Sequence, residues 1–93
     1  MLSLPQLRKQ IDRLDNRIVA LLNRRLCLVE KVGRVKALNG DKVYDRDREK
    51  KLLARLRARQ KGPLSDEELQ EIYLGIFQAS REHQKRVLQK SKR

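Results

Sequence analysis

Apolar residues recur at Leu4, Leu7, Ile11, Leu14, Ile18, Leu21, Leu28, Val32 and Val35, in steps that alternate between three and four. Such a heptad seam commits the segment to a helix. Ser3-Leu4-Pro5-Gln6 supplies a capping box, with Pro5 tolerated in the first turn. No proline interrupts the run, and Asn39-Gly40 is a stop signal. The pattern predicts one helix over about residues 4–38, ~50 Å long at 1.5 Å per residue. A rod of that length does not fit inside a compact chain of 93 residues, and a domain this small buries only a modest share of its own surface. A seam with no partner in its own chain predicts pairing with a second copy.

The seam has one gap, at Arg25. A cation in an apolar stripe is costly unless something pairs with it. It snorkels outward, meets a carboxylate across an interface, or holds an anionic ligand. Beyond the loop Gly40 to Tyr44, Asp45 can cap a second helix through Leu52, Leu53 and Leu56 to about Lys61, ended by Gly62-Pro63. Ser65-Asp66-Glu67-Glu68 is a second capping box, opening a third helix over about residues 66–88 that carries Leu69, Ile72, Tyr73, Ile76 and Phe77, and later Val87 and Leu88. The basic tail from Lys85 to Arg93 is expected to fray. Without strand-like alternation or internal repeats, the reading is an all-α fold with one very long and two short helices in a single domain over residues 1–93.

Lys and Arg total 24 against 12 Asp and Glu, a formal net charge of +12. That balance implies an anionic partner, although the blocks Lys50 to Lys61 and Lys85 to Arg93 also read as solvated helix faces and a loose tail. Aromatic residues make up only 3% of the chain and no helix-turn-helix or zinc motif is visible, which argues against a nucleic-acid reader. Phosphate binding by charge alone stays open as an alternative. The single cysteine, Cys27, precludes an intramolecular disulfide; among Leu26, Leu28 and Val29 it reads as a buried, inert thiol. No apolar run is long enough to span a bilayer and no signal peptide opens the chain, so a cytoplasmic protein is expected. One histidine, His83, and one cysteine cannot form a transition-metal cluster, and neither a glycine-rich phosphate loop nor a nucleophile–histidine pair is present. Any enzymatic chemistry is then expected to use no metal, cofactor or covalent intermediate.

What remains is a set of cations and amides on helix faces. Arg25 and Lys36 lie 11 residues apart, roughly 20° beyond three full turns, and so share a face ~16 Å long. Arg8 is ~42 Å from Lys36 along the same rod and cannot share a small ligand with it within one chain. Asp45, Arg48 and Glu49 form a continuous face at the start of the second helix, and Ser80 and Gln84 stand one turn apart on the third. Each has an ordinary explanation: a cap, a local ion pair, a solvated side chain.

Taken together, these residues resemble the all-helical class of chorismate mutases. The stretch Leu7-Arg8, Ile11, Leu14-Asp15, Ile18, Ala20-Leu21-Leu22, Arg24-Arg25, Val32-Gly33 and Lys36 carries the resemblance, with Asp45-Arg46-Asp47-Arg48-Glu49, Leu52-Leu53 and, more loosely, Ile76-Phe77, Ser80 and Gln84. The resemblance implies an intertwined homodimer and the rearrangement of chorismate to prephenate in aromatic amino-acid biosynthesis. It implies that Arg8 reaches one substrate carboxylate from the partner chain and that Arg25 holds the other. Lys36 would contact a carboxylate and the ether oxygen, Gln84 would donate to that oxygen from the opposite side, and Glu49 would receive the ring hydroxyl. Asp45, Arg48 and Ser80 would line and position the site. The same-fold alternative is isochorismate pyruvate-lyase, against which Asp45 and Glu49 weigh because they suit the hydroxyl of chorismate.

Overall fold

The computed structural model describes residues 1–42 and 44–91. Three helices, α1 (Leu4–Asn39), α2 (Arg46–Arg59) and α3 (Asp66–Ser91), account for its regular structure, and no strand occurs among the described residues. The α1 capping box is formed in full: Gln6 N–H donates to Ser3 Oγ, and Ser3 N–H donates to Gln6 Oε1. At the other end Gly40 adopts φ 73°, the left-handed conformation that favours glycine, while Asp41 N–H closes onto the Lys36 carbonyl at 2.8 Å. Asp45 caps α2 by accepting from Arg48 N–H at 3.0 Å. That helix stops at Arg59, two residues short of Lys61, because Gln60 is extended and its side chain donates to the Leu64 carbonyl. Ser65 and Glu68 close the box that starts α3.

Two expectations need correction. The tail from Lys85 does not fray at its start: α3 runs on to Ser91, and half-buried Val87 and Leu88 keep it seated, while residues 92 and 93 lie outside those described. Cys27 is exposed, not buried. Its chain neighbours are apolar, but neighbours one residue away do not share a helix face. Those three and four residues away are Asn23, Arg24, Glu30 and Lys31.

α3 is the hub, packing against both α1 and α2, which do not pack on each other. Among the described residues the buried apolar side chains are Leu69 and Phe77, with Tyr73 edge-on to Phe77 at 5.7 Å. The half-buried contact between His83 Nε2 and Glu30 Oε2, 3.7 Å apart, adds a polar link between α3 and α1. The rest of α1 has nothing on it. Leu7, Ile11, Leu14, Ile18, Leu21 and Leu28 are all exposed, Leu14 by 53% and Ile18 by 52%. The chain measures 57 × 29 × 15 Å, with a radius of gyration of 16.7 Å, where a compact domain of this length has about 12 Å. Its accessible surface is 8188 Å², against about 5,600 Å² for a folded monomer of the same mass. No helix is long and apolar enough to cross a membrane.

Candidate active site

Where α3 meets the C-terminal half of α1 and the start of α2, the three helices bound an open cleft of about 110 Å³. Arg25 and Lys36 enter from α1, Asp45, Arg48 and Glu49 from the start of α2, and Ser80, Arg81 and Gln84 from α3, over an apolar floor of Val29, Leu52 and Phe77. Seven of the eight residues singled out from the sequence therefore line one cleft. The eighth, Arg8, does not; it is exposed near the far end of α1.

Arg25 does not snorkel into solvent. Its Nη1 donates to Ser80 Oγ at 2.6 Å and its guanidinium stands 5.9 Å from the centre of the Phe77 ring. Ser80 donates its own proton to the Ile76 carbonyl at 2.7 Å, so its oxygen is fixed as an acceptor for Arg25. Neither Ser80 nor Gln84 is solvated: they are 8% and 5% exposed. Gln84 Nε2 donates to the Val29 carbonyl at 2.8 Å, which uses one of its two N–H groups. The approach depends on Gly33, the one buried residue of α1. A Cβ at that position would lie 2.7 Å from Gln84 Cγ, and no real Cβ packs that closely. Glycine is needed here to let a side chain of α3 reach the backbone of α1.

Arg81 is the cleft residue that the sequence reading missed. Its Nη1 lies 2.7 Å from Glu49 Oε2, and its guanidinium stacks 4.6 Å from the centre of the Tyr44 ring. A signal for it exists in the sequence: Phe77, Ser80, Arg81 and Gln84 fall at i, i+3, i+4 and i+7, a single helix face. Four cations (Arg25, Lys36, Arg48, Arg81) thus face two carboxylates (Asp45, Glu49), and the cleft is suited to a small anion with a neutral polar edge.

A family profile, chorismate mutase type II, matches residues 7–85, which span all three helices and the whole cleft. The chain belongs to the chorismate mutase type II family. It is 38% identical over 87 residues to the chorismate mutase of Methanocaldococcus jannaschii, covering 94% of this chain and 84% of that protein. It is 31% identical over 91 residues to the bifunctional chorismate mutase/prephenate dehydratase of Aquifex aeolicus, of which it spans only 25%. Among solved structures, the chorismate mutase of Helicobacter pylori in complex with prephenate superposes with a TM-score of 0.87 at 35% identity, covering 92% of this chain and 93% of the other. Form II of the Thermus thermophilus chorismate mutase gives 0.84 at 39% identity, covering 86% and 91%. The all-helical architecture is therefore that of the chorismate mutase family, as the sequence led one to expect.

Proposed function

We propose that the chain rearranges chorismate to prephenate, acting in the cytoplasm as a homodimer in which each cleft is completed by Arg8 of the other copy. The observation that carries the reading is the convergence of Arg25, Lys36 and Gln84 on one cleft of a chorismate mutase-family fold.

The reaction breaks a C–O ether bond and forms a C–C bond within one molecule, with no proton transfer and no covalent bond to protein. Catalysis then rests on holding the compact conformer and stabilising negative charge as it develops on the ether oxygen. Arg25, fixed by Ser80, grips one carboxylate of the dianion, and Arg8 of the second copy grips the other. Lys36 and the remaining N–H of Gln84 donate to the ether oxygen from opposite sides. Glu49 accepts the ring hydroxyl, and Asp45, Arg48 and Ser80 line and orient the rest.

The surface that the single chain leaves uncovered supports the dimer. An excess of about 2,600 Å² over a folded monomer is of the order of an obligate interface, and the exposed apolar seam of α1 supplies the contact. Arg8, on that same seam-bearing stretch, reaches a cleft only if a second rod runs alongside the first.

The test is loss of chorismate followed by absorbance, with the product identified. Prephenate is the expected product. Release of pyruvate from isochorismate with chorismate left intact, or steeply salt-dependent DNA binding without turnover, would overturn the reading.

A further inference from the structure

We propose that Arg81 is a positioning residue that presents Glu49 to the ring hydroxyl of the substrate, and so sets the preference for a hydroxyl-bearing ring. The inference rests on the chorismate reading above.

Glu49 sits at the start of α2 on a side chain with three rotatable bonds, and left to itself it samples several rotamers before any ligand arrives. Arg81 removes that freedom from the opposite helix. Its Nη1 holds Glu49 Oε2 at 2.7 Å. One carboxylate oxygen is thus engaged, and the other is left to accept a hydroxyl proton. Arg81 is itself held: its planar guanidinium lies over the Tyr44 ring at 4.6 Å, which ties it to the loop before α2. A lysine ammonium has no plane to stack in this way. Other charged groups share the surroundings of Glu49: Arg25 and Lys36 from α1, Asp45 and Arg48 beside it at the start of α2, and Arg46, Lys50 and Arg57 along the outer side of α2. Amid them Arg81 closes its guanidinium onto the Glu49 carboxylate.

A purely stabilising role does not explain the pair. The side chains of Arg81 and Glu49 are 31% and 21% exposed, so the pair is half-buried at the cleft edge and solvent still screens much of what it adds to stability. Orientation is a different matter, because a bond to a charged acceptor fixes direction even where it adds little net energy. Arg81 also follows Ser80 and precedes Gln84 by three residues, so one face of α3 braces Arg25, aims Glu49 and carries the ether-oxygen donor.

The experiment compares kcat/KM for chorismate with that for an analogue lacking the ring hydroxyl, in wild type, Arg81→Met, Arg81→Lys and Tyr44→Leu. For Arg81→Met we expect a fall of about tenfold with chorismate and under about twofold with the analogue, so that discrimination between them collapses. Arg81→Lys should recover part of that discrimination. Tyr44→Leu, which leaves the ion pair in place, should lose an intermediate share and keeps the test decisive if Arg81→Met folds poorly. Adding Arg81→Met to Glu49→Gln should cost nothing further. Equal losses with both substrates, or additive effects of the Arg81 and Glu49 changes, would overturn the role of Arg81 alone. A wild-type chain that leaves chorismate untouched would overturn the underlying reading, and this inference with it.

Discussion

The two ends of α1 meet different surroundings. Towards its C-terminus the helix meets α3, and beside Phe77 the side chains buried there are polar: Ser80 and Gln84, each hydrogen-bonded, with Arg25 bonded to Ser80. Towards its N-terminus no other described residue covers the helix, and the apolar side chains Leu7, Ile11, Leu14 and Ile18 stand exposed along with the charged ones. In an isolated globular chain the apolar groups go inside and buried polar groups are the exceptions that need explaining. The inversion teaches that one chain provides the frame of a site but not its own hydrophobic core. Leu69 and Phe77 are a small core for three helices, and in the proposed dimer the second copy would cover the seam.

The severest way to break this contrast is to charge the seam. Leu14→Lys with Ile18→Lys should abolish the dimer, most of the helicity and all turnover together, since each apolar side chain kept from burial forfeits about 1.5–3 kcal/mol per chain. Sedimentation and far-UV circular dichroism at micromolar concentration check this; a folded wild-type monomer under the same conditions would refute the assembly. Less drastic is to leave the seam intact and divide the site. Arg8→Ala and Arg25→Ala should each lower kcat/KM about a hundredfold. Mixed dimers should regain about one intact site in two, because the two lesions then fall in the same cleft. Absence of recovery after demonstrated subunit exchange would remove Arg8 from the site.

A change at the polar end sharpens the comparison by pH. Gln84→Glu should be about a hundredfold less active than wild type near neutrality, because an ionised carboxylate donates no hydrogen bond and repels the developing charge. A glutamate becomes a donor only on protonation, and its ordinary pKa is about 4.3. Activity of the variant should therefore climb as pH falls towards 5, while wild type stays nearly flat; a flat profile for the variant would discharge Gln84 from donating. The smallest effect belongs to the α3 cap. Glu68 is held below the usual carboxylate range by the backbone N–H of Ser65 and then by its hydroxyl. A depressed carboxylate adds stability above its unfolded pKa and loses it as pH drops through the folded value, so this turn weakens only in acid. Ser65→Ala should lower the stability of the domain by about 1 kcal/mol in thermal melts at pH 7. Turnover should be unchanged, since Ser65 lines no part of the cleft.

The helices were legible because their signals are local. The alternating seam, the Ser3–Gln6 and Ser65–Glu68 boxes and Gly40 each act within a turn or two of chain, and each is where the sequence places it. Arg25 was legible for a related reason: a cation breaking an apolar periodicity is visible without any tertiary information. Arg81 was not. It stands in a run of charged residues on α3, and what separates it from Arg86 or Lys90 is a carboxylate 32 residues away on another helix. Cys27 misled because adjacency along the chain was read as adjacency in space. The early end of α2 turned on one side-chain bond, from Gln60 to the Leu64 carbonyl, that no propensity encodes.

The bond from Gln84 to the Val29 carbonyl has a consequence for timing. A side-chain amide has two nearly isosteric orientations, and a free one exchanges between them. Here the exchange is forbidden, because turning the amide over would set Oε1 against the Val29 oxygen, lone pair to lone pair. On the proposed role, the donor that meets the ether oxygen keeps a single polarity before substrate enters, and no part of the activation barrier is spent on turning it round.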